Sequence, residues 1–413
     1  MQNVKQIFFA LVFPCVFIGQ ELKEKAPPNH IGTITFHAEE QMENIPIVEL
    51  GKTFTLRFDD LNANETFYYY TLQHANADWT ASELFKSEYI NGFDDVRIRN
   101  MSSSLTTLQR YTHYTLTIPN RDTEIIASGN YVLSIFDRNQ ELIFNKRFIV
   151  YDKQANVQVD VFRMRDLEGI DSHQRIEIEV QTANINSRQP RQEISVWALQ
   201  NYSWSSIRKI SKFDYVINQS IRFEYDKNLI FEGGNEYLFF DTKDIRSAGA
   251  NVDYVRREKL YLSILSPNFV RNGSLYTYAP DMNGNFVIQT TEGANPNTDA
   301  DYTEVTFSLH SSKTDYDFYV TGFFNENQPQ TLHKLEYNSK NNLHQVTIRL
   351  KQGIYNFKYI AIDSVGQLYE NGVCGSYWET ENEYLALVYL RKFGDRYDRL
   401  IGIGVGNSRQ IRN

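Results

Sequence analysis

The chain has 413 residues, 41% of them hydrophobic and 23% charged, which is too long for one sandwich or barrel and too apolar for disorder. Its 42 basic residues stand against 51 acidic ones, a net charge of −9 that argues against a nucleic-acid footprint. Aromatic residues make up 14%, including 27 Tyr and 27 Phe, so strands are favoured and coiled coil, collagen and polytopic membrane protein are excluded.

Lys5 precedes an apolar run from Ile7 to Ile18, followed by Gly19 and polar Gln20-Glu21. The run is shorter than the roughly 20 residues of a membrane span and predicts a signal peptide over residues 1–19, with an uncleaved anchor as the competing reading. Cys15 raises lipidation, but Val12-Phe13-Pro14 is a poor lipobox. Removal of the signal leaves Cys374 as the only thiol, read as a small buried residue, and no disulfide. No later segment is long and apolar enough for the mature chain to insert directly into a membrane.

From residue 27 onward, period-two alternation dominates. Phe54, Leu56 and Phe58 alternate with Thr53, Thr55 and Arg57, and Tyr114, Leu116 and Ile118 alternate with His113, Thr115 and Thr117. Ile176, Ile178 and Val180, then Val346, Ile348 and Leu350, repeat the pattern. Each run has one apolar and one wet face, as in an antiparallel sheet packed from one side. With Ser128-Gly129-Asn130, Gly233-Gly234, Asn283-Gly284 and Asn371-Gly372 as turns, the fold class is all-β: tandem immunoglobulin-like or early-set-like antiparallel β-sandwiches. Polar joints at residues 152–156 and 291–297 predict domains over 27–152, 153–295 and 296–413. Short helices are predicted over Thr80–Tyr89, with Thr80 and Glu83 as a capping box, and over Asp241–Ala248.

Motifs of chemistry are missing from this pattern. The sequence has no G-x-S-x-G, H-E-x-x-H, Walker loop or G-x-G-x-x-G after a strand, and its eight histidines are scattered. No cofactor or metal is predicted, and no enzymatic activity. Asp281-Met282-Asn283-Gly284-Asn285 superficially matches a calcium loop, but Phe286 stands where that loop needs Gly. It reads instead as a type I′ hairpin between strands Tyr276–Tyr278 and Phe286–Ile288. Asp59-Asp60 and Asp94-Asp95 read as turn formers, since neighbours on a strand point to opposite faces.

The run from Trp79 to Asp95 breaks the strand rhythm and carries Trp79, Phe85, Tyr89 and Phe93. Loops on a rigid sandwich are where binding sits, so these four are the candidate partner-binding anchors; the competing reading has the excursion capping its own core.

This run also carries a resemblance. His74-Ala75-Asn76-Ala77-Asp78-Trp79-Thr80, Lys86-Ser87-Glu88-Tyr89 and Gly92-Phe93-Asp94-Asp95 resemble the N-terminal domain of the type IX secretion system plug protein family. Further matching strings follow in order: Tyr111-Thr112-His113-Tyr114, Ser128-Gly129-Asn130-Tyr131, Gly234-Asn235-Glu236-Tyr237, Glu379-Thr380-Glu381-Asn382-Glu383-Tyr384 and Gly394-Asp395-Arg396-Tyr397-Asp398. The resemblance implies a periplasmic Bacteroidota protein, peripheral to the outer membrane. Its implied partner is the large outer-membrane β-barrel translocon of that system, whose periplasmic mouth it closes when no cargo passes. The family brings no catalytic or metal residues to carry over.

A second resemblance lies in the C-terminal third. Phe318-Tyr319-Val320-Thr321-Gly322-Phe323-Phe324-Asn325 and Gly353-Ile354-Tyr355-Asn356-Phe357-Lys358-Tyr359 look like the early-set sandwiches of starch enzymes. Those modules place a Trp just after the Phe-Asn step, where this chain has Glu326-Asn327 and no Trp until Trp378. A carbohydrate-binding β-sandwich protein is therefore the alternative function.

Overall fold

The computed structural model describes residues 21–38, 44–182, 185, 187, 189–210, 213–217 and 219–411, so the expected signal peptide and Cys15 lie outside the described residues. The first sandwich sets strands Ile31–Ala38, Phe54–Asp60, Thr112–Ile118 and Asn100–Ser103 against Ile47–Glu49, Leu142–Tyr151, Gly129–Phe136, Tyr69–Ala75 and Val96–Arg97. Alternation places Phe54, Leu56 and Phe58, with Tyr114, Leu116 and Ile118, in its core. Phe36, Phe54 and Phe148 meet at ring separations of 4.9–5.0 Å, and Phe58 stacks on Tyr114 at 5.0 Å. Burying each such ring contributes on the order of 1.5–3 kcal/mol.

The second and third sandwiches are nested rather than consecutive. The second pairs Asn156–Arg163, His173–Gln181, Ser220–Phe223 and Tyr215–Ile217 in one sheet. Its facing sheet runs Arg208–Ile210, Ile194–Gln200, Glu383–Leu390 and Arg399–Asn407. The last two strands of the chain thus complete the middle domain. The third sandwich is inserted ahead of those two strands, after Ile230–Glu232, with Leu238–Asp241, Gly353–Ile362 and Phe286–Ile288 facing a sheet that includes Val252–Arg257, Tyr261–Leu265, Tyr302–His310 and Leu343–Lys351. The boundary expected near residue 295 is corrected accordingly. The polar stretch there is a loop of the third sandwich, tied through Thr291 N to Lys243 O at 3.0 Å and docked on the first through Leu105 N to Thr298 O at 2.9 Å. Pairing is antiparallel except where Leu142–Tyr151 meets Ile47–Glu49 and where Tyr302–His310 meets Tyr261–Leu265 and Asn268–Phe269.

Two close approaches explain the nesting. The ingoing and outgoing linkers run side by side, with Tyr377 N bonded to Gly234 O at 2.8 Å and Asn382 Nδ2 to Gly233 O at 2.8 Å. A Cβ on Gly233 would stand 2.0 Å from Tyr377 O. On the last strand Gly402, Gly404 and Gly406 lie against the backbone of Ala155, Val157 and Val159, where a Cβ would meet carbonyl oxygens at 2.8, 2.7 and 2.8 Å. Only glycine permits that edge of the sandwich to close.

The predicted helix over Thr80–Tyr89 shrinks to one turn, Lys86–Tyr89, with Glu88 reaching back to Phe85 N at 2.8 Å. Thr80 caps no helix: its hydroxyl donates to Asp78 at 2.6 Å and accepts from Asn76 Nδ2 at 3.2 Å within the preceding turn. Residues 242–250 hold bends and turns, with no helix. The turn at Asn283-Gly284 forms with φ of 52° and 86°, but Tyr276–Tyr278 is not a strand, and Phe286–Ile288 pairs with Gly353–Tyr355 instead. The Tyr276 hydroxyl is committed to Glu236, and Asp281 accepts Tyr237 N at 2.5 Å, which holds that segment off the sheet.

Candidate interaction surface

The excursion after strand Tyr69–Ala75 folds back at once. Asn76 N bonds Thr80 O at 2.8 Å, and Trp79 sits at a φ of 64°. That turn drives the Trp79 ring into the seam between the first and middle sandwiches, where it is 3% exposed. There it meets Trp204 edge-on at 5.2 Å, under the Arg147 guanidinium at 4.5 Å. Tyr89 is 6% exposed, donates to Leu72 O at 3.3 Å, and packs near His74 and Tyr131; burial raises its pKa. Both residues are interior in this fold: Tyr89 packs on the core of its own sandwich, whereas Trp79 packs in the seam between two sandwiches.

Phe85 and Phe93 behave differently, at 73% and 77% exposed. Phe85 lies 5.7 Å from the Arg396 guanidinium, and Phe93 is held by its N–H to Asp122 O at 2.7 Å. The backbone at Gly92 approaches Asp122 so closely that a Cβ would clash at 2.3 Å, which fixes the loop although its ring is bare. Sequence reasoning missed a third aromatic, Phe393, which is fully exposed on the loop joining Glu383–Leu390 to Arg399–Asn407. That loop docks on the excursion: Ala77 N donates to Asp398 Oδ2 at 3.0 Å, Arg396 Nη1 to Glu83 O at 3.3 Å, and Arg396 also pairs with Glu88. The string Gly394–Asp398 was its available signal. Trp378, the stacking residue of the carbohydrate alternative, is covered by Arg163 at 4.2 Å.

The seams behind this surface decide whether it moves as one piece. Outward residues Ile47, Ala75, Val132 and Ile149 of the first sandwich meet Leu199, Leu385, Leu387, Tyr389 and Leu400 of the middle one. The Glu383–Leu390 strand is therefore buried on both faces, which is why it reads as a near-continuous apolar run. Between the first and third sandwiches the seam is polar. Asp59 accepts from His113 Nδ1 at 2.6 Å, from Lys351 Nζ at 2.7 Å and from the Tyr302 hydroxyl at 2.7 Å. Lys351 also donates to Asn297 O at 2.7 Å and lies 4.1 Å over the Tyr111 ring, and burial lowers its pKa. Asp301 accepts Leu108 N at 2.6 Å and Gln109 N at 3.0 Å from the first sandwich.

Of the expected turn formers, Asp60 accepts Asn62 N at 3.0 Å, but Asp59 serves this seam. Asp94 instead takes Leu72 N at 2.9 Å and pairs with Lys86 at 2.7 Å. Cys374 is buried, as expected of a packing thiol. Among the described residues no group of three or more His, Cys, Asp or Glu is placed to hold a metal ion. None of the described helices is long and apolar enough to cross a membrane.

A family model for the type 9 secretion system plug protein 1st domain matches residues 31–152, the whole of the first sandwich. The first sandwich belongs to the plug family. Phe85 and Phe93 are thus exposed on the plug domain itself, and Phe393 is exposed outside it, on the loop that docks on the excursion. Beyond the plug domain, the chain is similar throughout to a hypothetical protein from Parabacteroides merdae ATCC 43184. That crystal structure is 28% identical and covers 94% of this chain and 100% of its own, with a TM-score of 0.89. Dimeric latent PorU from Porphyromonas gingivalis covers 91% of this chain and 34% of its own at 6% identity, with a TM-score of 0.15 that carries no argument. No curated protein matches. The plug domain supports a plug-related role in type IX secretion.

Proposed function

We propose that this chain is a non-enzymatic gatekeeper in the periplasm, binding the periplasmic mouth of the large outer-membrane β-barrel translocon of type IX secretion and closing its pore when no cargo is in transit. The observation that carries this reading is the plug domain over residues 31–152. The cross-tied body behind it adds support: an apolar seam and a buried ionic seam join the plug domain to the other two sandwiches, so a force on one is borne by all three. A stopper must resist deformation, and close-packed interiors transmit strain rather than absorb it.

The contact surface is the end bearing Phe85, Phe93 and Phe393, with Trp79 and Tyr89 holding the excursion from behind. A stable interface buries on the order of 1,200 Å² or more with aromatic anchors at its centre, and those rings supply the anchors. Opening is a shift of the bound population when another partner competes for the mouth.

The test is to tag the C-terminus, extract native envelopes in mild detergent and identify what co-purifies by mass spectrometry. A very large outer-membrane barrel in near-equal amount is expected, as is an outer membrane leaky to large antibiotics after deletion. Free protein in several detergents, with unchanged permeability, would overturn the reading. Phe85→Ser combined with Phe93→Ser should lose the barrel while the fold is kept.

A further inference from the structure

The middle and third sandwiches enclose a cleft of about 590 Å³ beside their paired linkers. Gln200, Arg208 and Glu232 form one wall, and Gln367, Tyr369 and Asn371 the other. The size falls within the roughly 300–1,000 Å³ of small-ligand sites, but the mainly apolar lining usual there is replaced by amides, hydroxyls and carboxylates.

The charges in the cleft are already committed. Arg208 donates to Ile230 O and lies 4.4 Å over the Phe231 ring. Glu232 accepts the Asn371 amide at 2.5 Å, and neighbouring Glu370 stands 3.4 Å from Lys358. One guanidinium against two carboxylates, each with a partner, leaves no single-signed field to hold a phosphate or a free cation.

What remains is a set of neutral amide carbonyl acceptors beside an aromatic face, since the Gln200 amide nitrogen already donates to Glu232 O at 3.0 Å and to the Tyr384 hydroxyl at 3.3 Å. Gln367 is exposed, and its amide nitrogen reaches only the adjacent Leu368 O at 3.1 Å, so its carbonyl oxygen is open to a ligand. The Tyr369 ring is 41% exposed and braced edge-on by Tyr316 at 5.8 Å, which holds it in place without covering it. A sugar ring has this same double character: an apolar C–H face that lies on an aromatic ring, and hydroxyls that donate to amide carbonyls and carboxylates. We infer that this cleft binds a neutral oligosaccharide, stacked on Tyr369 and donating its hydroxyls to the side-chain carbonyl oxygens of Gln367 and Gln200. A ligand touching both walls also ties the inserted sandwich to its host.

The test is isothermal titration of the full chain with maltohexaose and with chitotetraose, two neutral probes that differ by the N-acetyl group. Saturable one-to-one binding of at least one is expected, with a matching rise in the thermal midpoint. Tyr369→Ala should weaken it about tenfold or more, the effect of losing an aromatic anchor, and Gln367→Ala several-fold. Both side chains are on the surface, so circular dichroism should find both variants folded. No heat from either sugar at about 10 mM, where even millimolar affinity saturates, would overturn the inference. Binding undiminished in both variants would overturn it too, by placing the sugar elsewhere. Barrel capture is measured separately, so neither result decides the other.

Discussion

The plug domain is joined to the rest of the chain by two seams of opposite chemistry. Toward the middle sandwich the contact is aliphatic and aromatic, with Leu385, Leu387 and Trp79 at its heart. Toward the third it is a buried carboxylate shared by a lysine, a histidine and a tyrosine. The apolar seam is non-directional and survives small shifts; the polar one is satisfied in one geometry only and is costly if half-broken. One seam supplies adhesion, while the other fixes the angle at which the third sandwich stands. A body that fills a pore needs both.

The largest expected effect comes from breaking the polar seam on one side. Lys351→Met leaves Asp59 buried without its ammonium, and urea unfolding should report a loss of about 3–5 kcal/mol. Adding Asp59→Leu should recover much of it; a single variant as stable as the parent would show the seam to be idle. In the apolar seam Leu387→Ala should cost about 2–5 kcal/mol, with no rescue from a polar partner.

Acid should act beside the apolar seam, through His74. This ring is buried among Tyr89, Tyr131 and Tyr397, and burial lowers its pKa to about 4. Between its unfolded value near 6.5 and about 4 the unfolded chain binds the extra proton. The stability from neutral His74 is thus complete above about pH 6.5 and falls as pH drops toward 4, by up to about 3 kcal/mol. Urea midpoints measured across that window should slope less in His74→Gln than in the parent. The smallest stability effect is expected at Phe85 and Phe93, where change to Ser should move the unfolding free energy by no more than about 0.5 kcal/mol. A large loss there would mean that the two rings are buried in solution.

Of the four aromatic anchors proposed from sequence, two face water and two face the interior, and local sequence could not separate them. Trp79 and Phe85 sit in the same excursion with similar neighbours. What separates them is the positive φ at Trp79, which swings its ring into a seam whose other wall lies more than a hundred residues away. Phe393 went unread for the same reason, because its loop reaches the excursion only after the last hairpin has returned to the middle sandwich. Asp59 looked like a turn former because the lysine that pairs with it, Lys351, stands in another sandwich 292 positions away.

The fold class was legible because period-two alternation is local: each strand carries its own inward and outward face, and Phe54–Asp60 needs no distant information to declare itself. The plug domain was legible from the strings it carries. The order of the sandwiches was not, although Glu383–Leu390, apolar on both faces, and the alternating glycines of 402–406 were its traces in the sequence. Which strand completes which sheet, which wet face becomes a seam and which aromatic stays bare were decided only in the tertiary structure. Such pairings depend on shape and charge matched across long loops, whereas alternation along a strand depends on nothing beyond its nearest neighbours.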